Sequence, residues 1–410
     1  MAAIVLLAGF CLRLMIATRA SGELQWIDEQ QYLALAQRLT AGEGYSNEAG
    51  APTAFRPPGY PFLLAGLGAL GLDSAASIRC VQVLLGTLTI WLIFLLGQAV
   101  FGTAAGITAA AVAAVYPYFL FIPATLLPTT WITLLVMGAT LCLIRAADTG
   151  SILDAACSGL LFSAAILTRP SFLLLLLAAI LWSLVRCRKI VPVLLLICTI
   201  LTLPWAIRNA VRVDRFHLST NGGRNLWLGN NPGTSLNPNA SMPIPRFLEI
   251  SLENAQTEGE RDRLYSTAAW NHIKESPGRY ATLALAKGAA LWRWDPSPTT
   301  GGYLKVNRSI RWISILSFGP LFLFAIIGVA SAPAPARSAV TLWLLYALGL
   351  TVVHALFFAK VRFRIPLDGF IILAAAAPML RCAQILYRIA GKFGSGITTE
   401  RTRERTAHAE

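Results

Sequence analysis

Charged side chains are scarce in this chain: they make up 13% of its 410 residues, about half the roughly 25% of a soluble protein. That scarcity excludes an ordinary water-exposed domain. Disulfide chemistry is not signalled either. Cys11, Cys80, Cys142, Cys157, Cys187 and Cys198 lie in or beside apolar runs, and Cys382 flanks the last run. There they read as small apolar residues rather than a framework of bridges or metal ligands. His217, His272, His354 and His408 are scattered without ligand spacing, so no obligatory metal and no other cofactor is expected, a divalent ion at an acid pair staying open. The net charge of +14 comes with no zinc-finger or basic-zipper pattern, and no nucleic-acid partner is expected. The first apolar stretch lacks the basic start of a signal peptide and is read as a retained span. No internal repeat is visible.

What the chain does have is apolar length. Hydrophobic residues make up 56% of it, with a mean hydropathy of +0.61. Helices are the economical way to cross lipid, because each satisfies its own backbone groups. The expected fold is therefore an all-α polytopic membrane protein. Spans are predicted near residues 2–19, 77–100, 104–122, 127–146, 153–168, 171–187, 190–207, 309–330, 338–358 and 365–381. The stretch YPFLLAGLGALGL (60–72) reaches only about 20 Å as a helix and is laid in the interface instead.

Ten spans place both termini on one side. The cluster RCRK (186–189) then shares a compartment with Arg337 and with Arg381, Arg388, Lys392, Arg401, Arg403 and Arg405. Short Lys/Arg-rich loops face the cytoplasm, so both termini are expected there. This gives an N-terminal membrane module (1–207) whose first outer loop spans 20–76, an extracytoplasmic segment (208–308), C-terminal spans (309–381) and a partly disordered tail (382–410). Within the outer segment, 219–239 reads as turn and loop, an amphipathic helix is expected near 245–275, and 279–294, with Lys287 mid-run, suits an interfacial helix.

The most telling polar stretch is WIDEQQYLALAQRL (26–39). Asp28 as N-cap with Gln31 at N3 forms a capping-box pattern, and Ile27 with Tyr32 occupies staple positions. Tyr32, Leu35, Ala36 and Leu39 follow as one apolar stripe. Capping alone would account for Asp28. Its loop, however, continues to PTAFRPPGYP (52–61), where Arg56 precedes the stiff Pro57–Pro58 pair. A carboxylate and an arginine at the mouth of a membrane bundle suit chemistry between a water-side acceptor and a lipid-borne anion, and that reading is placed first.

Together these pieces resemble the C-type glycosyltransferases (the GT-C fold), in particular bacterial enzymes related to protein O-mannosyltransferases and to the lipid A aminoarabinose transferase. The resemblance covers about residues 1–381. It rests on DEQQYLALAQRL with PTAFRPPGYPFLLA, LTRPSFLLLL (167–176), LPWAIRNAVRVDRF (203–216), STNGGRNLWLGNNPG (219–233) and AKVRFRIPLDGFIIL (359–373), in that order. It implies an inner-membrane enzyme that moves a sugar, with inversion, from a polyprenyl-phosphate donor to a glycolipid, polysaccharide or protein acceptor on the outer face. Asp28 would be the general base and Glu29 the second acid of the family's pair. The pattern breaks at ATLLPTTW (124–131), where relatives often carry a Glu and this chain has Pro128 and Thr129.

Such a reaction also needs cations for the departing phosphate, and arginine supplies charge-assisted, bidentate bonds. Arg56 and the cluster Lys360, Arg362 and Arg364 are the candidates; snorkelling anchors are the other reading of that cluster. Arg169 and Arg208, at outer span ends, are read equally as anchors, structural ion pairs or donor contacts. Tyr32, Trp227, Asn230 and Asn231 are possible substrate contacts, although a Gly/Asn-rich turn explains the asparagines as well. Two other functions compete. A lipid-saccharide flippase would place charges at mid-membrane, where only Arg13 and Lys287 stand out here, and a non-catalytic paralogue would keep the fold without the activity.

Overall fold

The computed structural model describes residues 1–20, 23–234, 244–295 and 308–407, with side chains to residue 389. The chain is built of helices, and no named strand occurs among the described residues. An apolar first half folds as α1 (Ala2–Arg19), α2 (Ile27–Thr40), α3 (Gly59–Ala69), α4 (Ala75–Phe101), α5 (Thr103–Val115), α6 (Pro117–Phe121), α7 (Thr129–Thr149), α8 (Ile152–Thr168), α9 (Leu173–Arg186) and α10 (Val191–Val213). Four helices follow outside the bundle: α11 (Gly222–Asn230), α12 (Arg246–Asn254), α13 (Glu258–Glu275) and α14 (Pro277–Leu291). The chain then returns through α15 (Arg308–Ala330), α16 (Ala334–Leu356) and α17 (Val361–Ala407).

Among the described residues, seven helices are long and apolar enough to cross a membrane, and α5 with α6 makes an eighth if the bent pair is one span. The segments Ile152–Thr168 and Pro170–Arg186 are apolar but shorter, about 26 Å each at the helical rise. These ten segments are the ones the hydropathy pattern picks out. Helix α3, with 11 residues, is too short to cross, in keeping with an interfacial position.

The bend between α5 and α6 is 59°, and its cause is local. Pro117 has no N–H, and Tyr116 adopts extended backbone before it, so the last carbonyls of α5 lose their helical donors. Arg13 replaces them. Its guanidinium, 1% exposed, donates to Ala113 O at 2.9 Å and Ala114 O at 3.1 Å, and to Gly9 O at 2.9 Å. The mid-membrane charge noticed in the sequence therefore caps a broken helix.

Two expectations are corrected here. Residues 222–230 are helix α11 rather than loop, because Asp262 Oδ1 accepts the Gly223 N–H at 2.5 Å and a carboxylate at a helix N-terminus offsets the poor propensity of Gly. The remainder of that stretch, 235–239, lies outside the described residues. The amphipathic helix expected over 245–275 is two helices, α12 and α13, parted at Ala255–Thr257. At the other end, α17 continues through Ala407, into the tail where partial disorder is expected; residues 408–410 lie outside the described residues.

Candidate active site

The connections 23–26, 41–58, 122–128, 169–172 and 357–360 gather at one end of the bundle, beside α11. The basic turn Arg186–Lys189 closes α9 at the opposite end. Between the gathered loops lies a cavity of about 810 Å³. Asp28, Arg56, Arg169, Arg224, Lys360 and Arg362 all line it.

Helix α2 starts two residues earlier than its pattern implied. Trp26 is the N-cap and Glu29 the N3 residue, so Trp26 stands where Asp28 was expected and Glu29 takes the N3 capping role expected of Gln31. Glu29 Oε2 accepts the backbone N–H groups of Gln25 at 2.9 Å and Trp26 at 3.0 Å, and Oε1 accepts that of Leu126 at 2.8 Å. Only 3% exposed, Glu29 is fully engaged in pinning α2 to the turn before α7. Asp28, one residue back, is thereby left to face the cavity. Ile27 is 55% exposed and staples nothing, while Tyr32 packs edge-on against Tyr60 at 5.2 Å.

Asp28 is clamped by two guanidinium groups. Arg56 Nη2 donates to Oδ1 at 2.5 Å and Arg362 Nη2 to Oδ2 at 2.7 Å. Burial would raise the Asp28 carboxyl, but the charges of Arg362 and Arg56 outweigh it and hold the group well below the usual carboxylate range. Gln31 Oε1 accepts from Arg56 Nε at 2.9 Å and Nη2 at 2.6 Å, a role its place in a capping pattern conceals. Arg56 also sits 5.3 Å from the Tyr32 ring, so Tyr32 is a wall and support of the site.

The loop bearing Arg56 is held from three sides. Tyr45 Oη donates to the carbonyls of Arg56 at 2.8 Å and Pro57 at 3.2 Å. Arg208 donates to Thr53 O at 2.6 Å and Tyr45 O at 2.9 Å. Glu258 accepts from Thr53 Oγ1 at 2.6 Å, Ala54 N at 2.9 Å and Thr220 Oγ1 at 2.8 Å. Gly59 then lets the chain lie on α8, since a Cβ there would fall 2.4 Å from Thr168 Oγ1. Arg208 is thus a brace for the first loop and does not reach the cavity.

A second knot holds the loop 357–360, which carries Lys360 and leads into α17 with Arg362 in its first turn. Lys287 Nζ donates to Phe357 O at 3.0 Å, Asn230 Oδ1 at 2.9 Å and Gly229 O at 3.2 Å. Asn230 Nδ2 donates to Leu356 O at 2.9 Å, and Asn231 Nδ2 to Trp227 O at 3.0 Å. Gly229 is needed where α11 meets this loop, because a Cβ would lie 1.7 Å from Phe357 O. From below, His354 Nδ1 is 3.0 Å from Phe358 O and its ring stacks on Phe363 at 4.7 Å. Asn230, Asn231 and Trp227 are therefore internal fasteners; Trp227 is 2% exposed in a cluster with Leu226, Leu248 and Ala269.

Arg364 is not brought to the cavity. It is 0% exposed, pairs with Asp368 at 2.9 Å, and donates to Leu291 O at 3.4 Å and Arg293 O at 3.0 Å. Helical geometry explains this: Arg362 and Arg364 are two residues apart on α17 and so point to different faces. Arg169, by contrast, does line the cavity, with its guanidinium 4.9 Å from the Phe363 ring. Leu127, Pro128 and Thr129 form a neutral part of the wall.

Three comparisons bear on this arrangement. A family described as dolichyl-phosphate-mannose-protein mannosyltransferase matches residues 55–207. Among solved structures, archaeal oligosaccharyltransferase AglB from Archaeoglobus fulgidus, in complex with an inhibitory peptide and a dolichol-phosphate, is similar at 14% identity and a TM-score of 0.55, over 95% of this chain and 51% of that one. The A. fulgidus enzyme complexed with Zn and sulfate is similar at 13% identity and a TM-score of 0.56, over 95% and 50%. ArnT from Cupriavidus metallidurans bound to undecaprenyl phosphate is 14% identical, over 91% and 76%, with a TM-score of 0.47. No curated protein matches the chain. The chain spans about half the length of the oligosaccharyltransferases it resembles. Its fold is that of the C-type membrane glycosyltransferases, and it is an integral membrane protein.

Proposed function

We propose that this chain transfers a sugar, with inversion, from a polyprenyl-phosphate donor to a hydroxyl-bearing acceptor at the extracytoplasmic end of the bundle. The observation that carries this reading is the clamp itself: one half-buried carboxylate held between two arginines at the floor of a cationic cavity that opens at the end of an apolar bundle. Asp28 is the general base, taking the acceptor proton as the new glycosidic bond forms on the opposite face from the leaving phosphate. Arg56, Arg362 and Lys360 neutralise the charge that develops on that phosphate. Arginine suffices for a monophosphate, so no obligatory metal is required. The basic turn 186–189 at the opposite end supports a cytoplasmic position for that end.

The test is reconstitution into liposomes with radiolabelled polyprenyl-phosphate sugars and a panel of glycolipid, polysaccharide and protein acceptors. Transfer of label to one acceptor class is the expected result. Passage of the lipid between leaflets with no transfer would instead identify a flippase.

Burial, with Arg362 beside it, lowers the Lys360 ammonium to about 7. A lysine is charged below its pKa, so donor affinity should be greatest below pH 7 and weaken as pH rises through that value. Bound phosphate favours the charged form and moves the break upward. In a titration of donor KM against pH, Lys360→Arg should flatten the profile; an unchanged break would remove Lys360 from the donor site.

A further inference from the structure

We infer, building on the function proposed above, that donor phosphate and the Asp28 carboxylate compete for one arginine: the phosphate lands on Arg169 and takes Arg362 away from Asp28, so the base is released only once donor is in place.

The two arginines on Asp28 are not equivalent. Arg56 is fixed twice more, by Gln31 Oε1 on Nε and on Nη2. Arg362 has Asp28 as its side-chain partner among the described residues, and its Nε is buried with none. Of the pair, Arg362 has the least to lose by turning away.

Arg169 supplies the reason to turn. Among the described residues its guanidinium makes no ion pair and no side-chain hydrogen bond, and its Nη1 is buried without a partner. An unmet buried donor on a permanent cation is costly unless a ligand meets it. Arg169 and Arg362 lie 4.9 Å and 5.3 Å from the same ring, that of Phe363, so the two cations neighbour each other across one aromatic side chain. A single tetrahedral phosphate has enough acceptor oxygens for both forks; Asp28 serves only Arg362.

The clamp also explains why release matters. Each Asp28 oxygen already accepts a guanidinium N–H, which leaves the carboxylate poorly placed to receive a hydroxyl proton. Losing Arg362 frees Oδ2, while Arg56 and Gln31 keep Asp28 in position. Acceptor hydroxyls that enter an empty site would thus meet a blocked base.

Binding of sugar-free polyprenyl monophosphate to the full chain in nanodiscs tests this directly, since no turnover is needed. Asp28→Asn removes the competitor and should tighten binding at least tenfold. Arg169→Gln should weaken it at least tenfold, with partial recovery in Arg169→Lys if the loss is one of charge rather than folding. Equal or weaker binding by Asp28→Asn, with wild type binding normally, overturns the exchange, as does unchanged binding by Arg169→Gln. If wild type fails to bind the lipid phosphate at all, the proposed donor class falls, and the exchange falls with it.

Discussion

Asp28→Asn should reduce sugar transfer by about 10²- to 10⁴-fold in kcat, the range of a lost general base, while the protein inserts and unfolds as wild type does. The separation of the two effects follows from the local geometry. The amide of Asn is nearly isosteric and still accepts an arginine N–H through its oxygen, but it cannot take up a proton at neutral pH. The helix start does not depend on it, because the N-terminal backbone of α2 is satisfied by Glu29. Glu29→Ala is the matching contrast: it removes an acceptor from three backbone donors, including Leu126 N, and should act first on stability. Initial transfer rates and thermal unfolding on the same preparations decide the matter. An Asp28→Asn enzyme that retains transfer within a few-fold of wild type would end its assignment as the base.

Asp368→Ala should be the most destabilising single change in the membrane core. Asp368 and Arg364 are each 0% exposed. Asp368 Oδ2 also accepts the Tyr116 hydroxyl at 2.7 Å, tying α17 to the break between α5 and α6. Truncating the acid leaves a buried guanidinium without its counter-charge, a loss of about 3–5 kcal/mol. Replacing both partners, as Arg364→Met with Asp368→Leu, removes the unpaired charge and should recover most of that loss. The double variant should also keep the wild-type donor KM, because Arg364 faces Phe318 at 3.4 Å and not the cavity. Unfolding midpoints in detergent test the stability claim. A double variant with weakened donor use would return Arg364 to the donor site.

The sequence was most legible where a feature depends on neighbours along the chain. Apolar length marked the helices of the bundle and the shortness of α3, since hydrophobic thickness is a one-dimensional constraint. The apolar stripe of α2 was equally plain, and Tyr32, Leu35 and Ala36 are its buried face. Local pattern was misleading by two residues at the start of α2, where the acids are adjacent and more than one register offers a capping box. There the choice is made by Leu126 N, 97 residues away.

Longer-range roles were harder to read for the same reason. Arg56, Arg169, Arg208, Arg362 and Arg364 look alike as basic residues in outer loops and at helix ends. Their surroundings separate them: Arg208 braces the first loop, Arg364 is sealed against Asp368, and Arg56 with Arg362 grips Asp28. Lys287 looked like an interfacial oddity, yet it fastens the loop that leads into α17 and Arg362.

By itself, then, the sequence determined an all-helical membrane bundle and a short acidic helix start followed by an arginine loop, because hydropathy and local backbone satisfaction act over one or two turns. Only the tertiary structure decided which acid is free and which cations meet it. Charge pairing depends on distances of about 3 Å between side chains up to 334 residues apart, and no local pattern encodes such a distance.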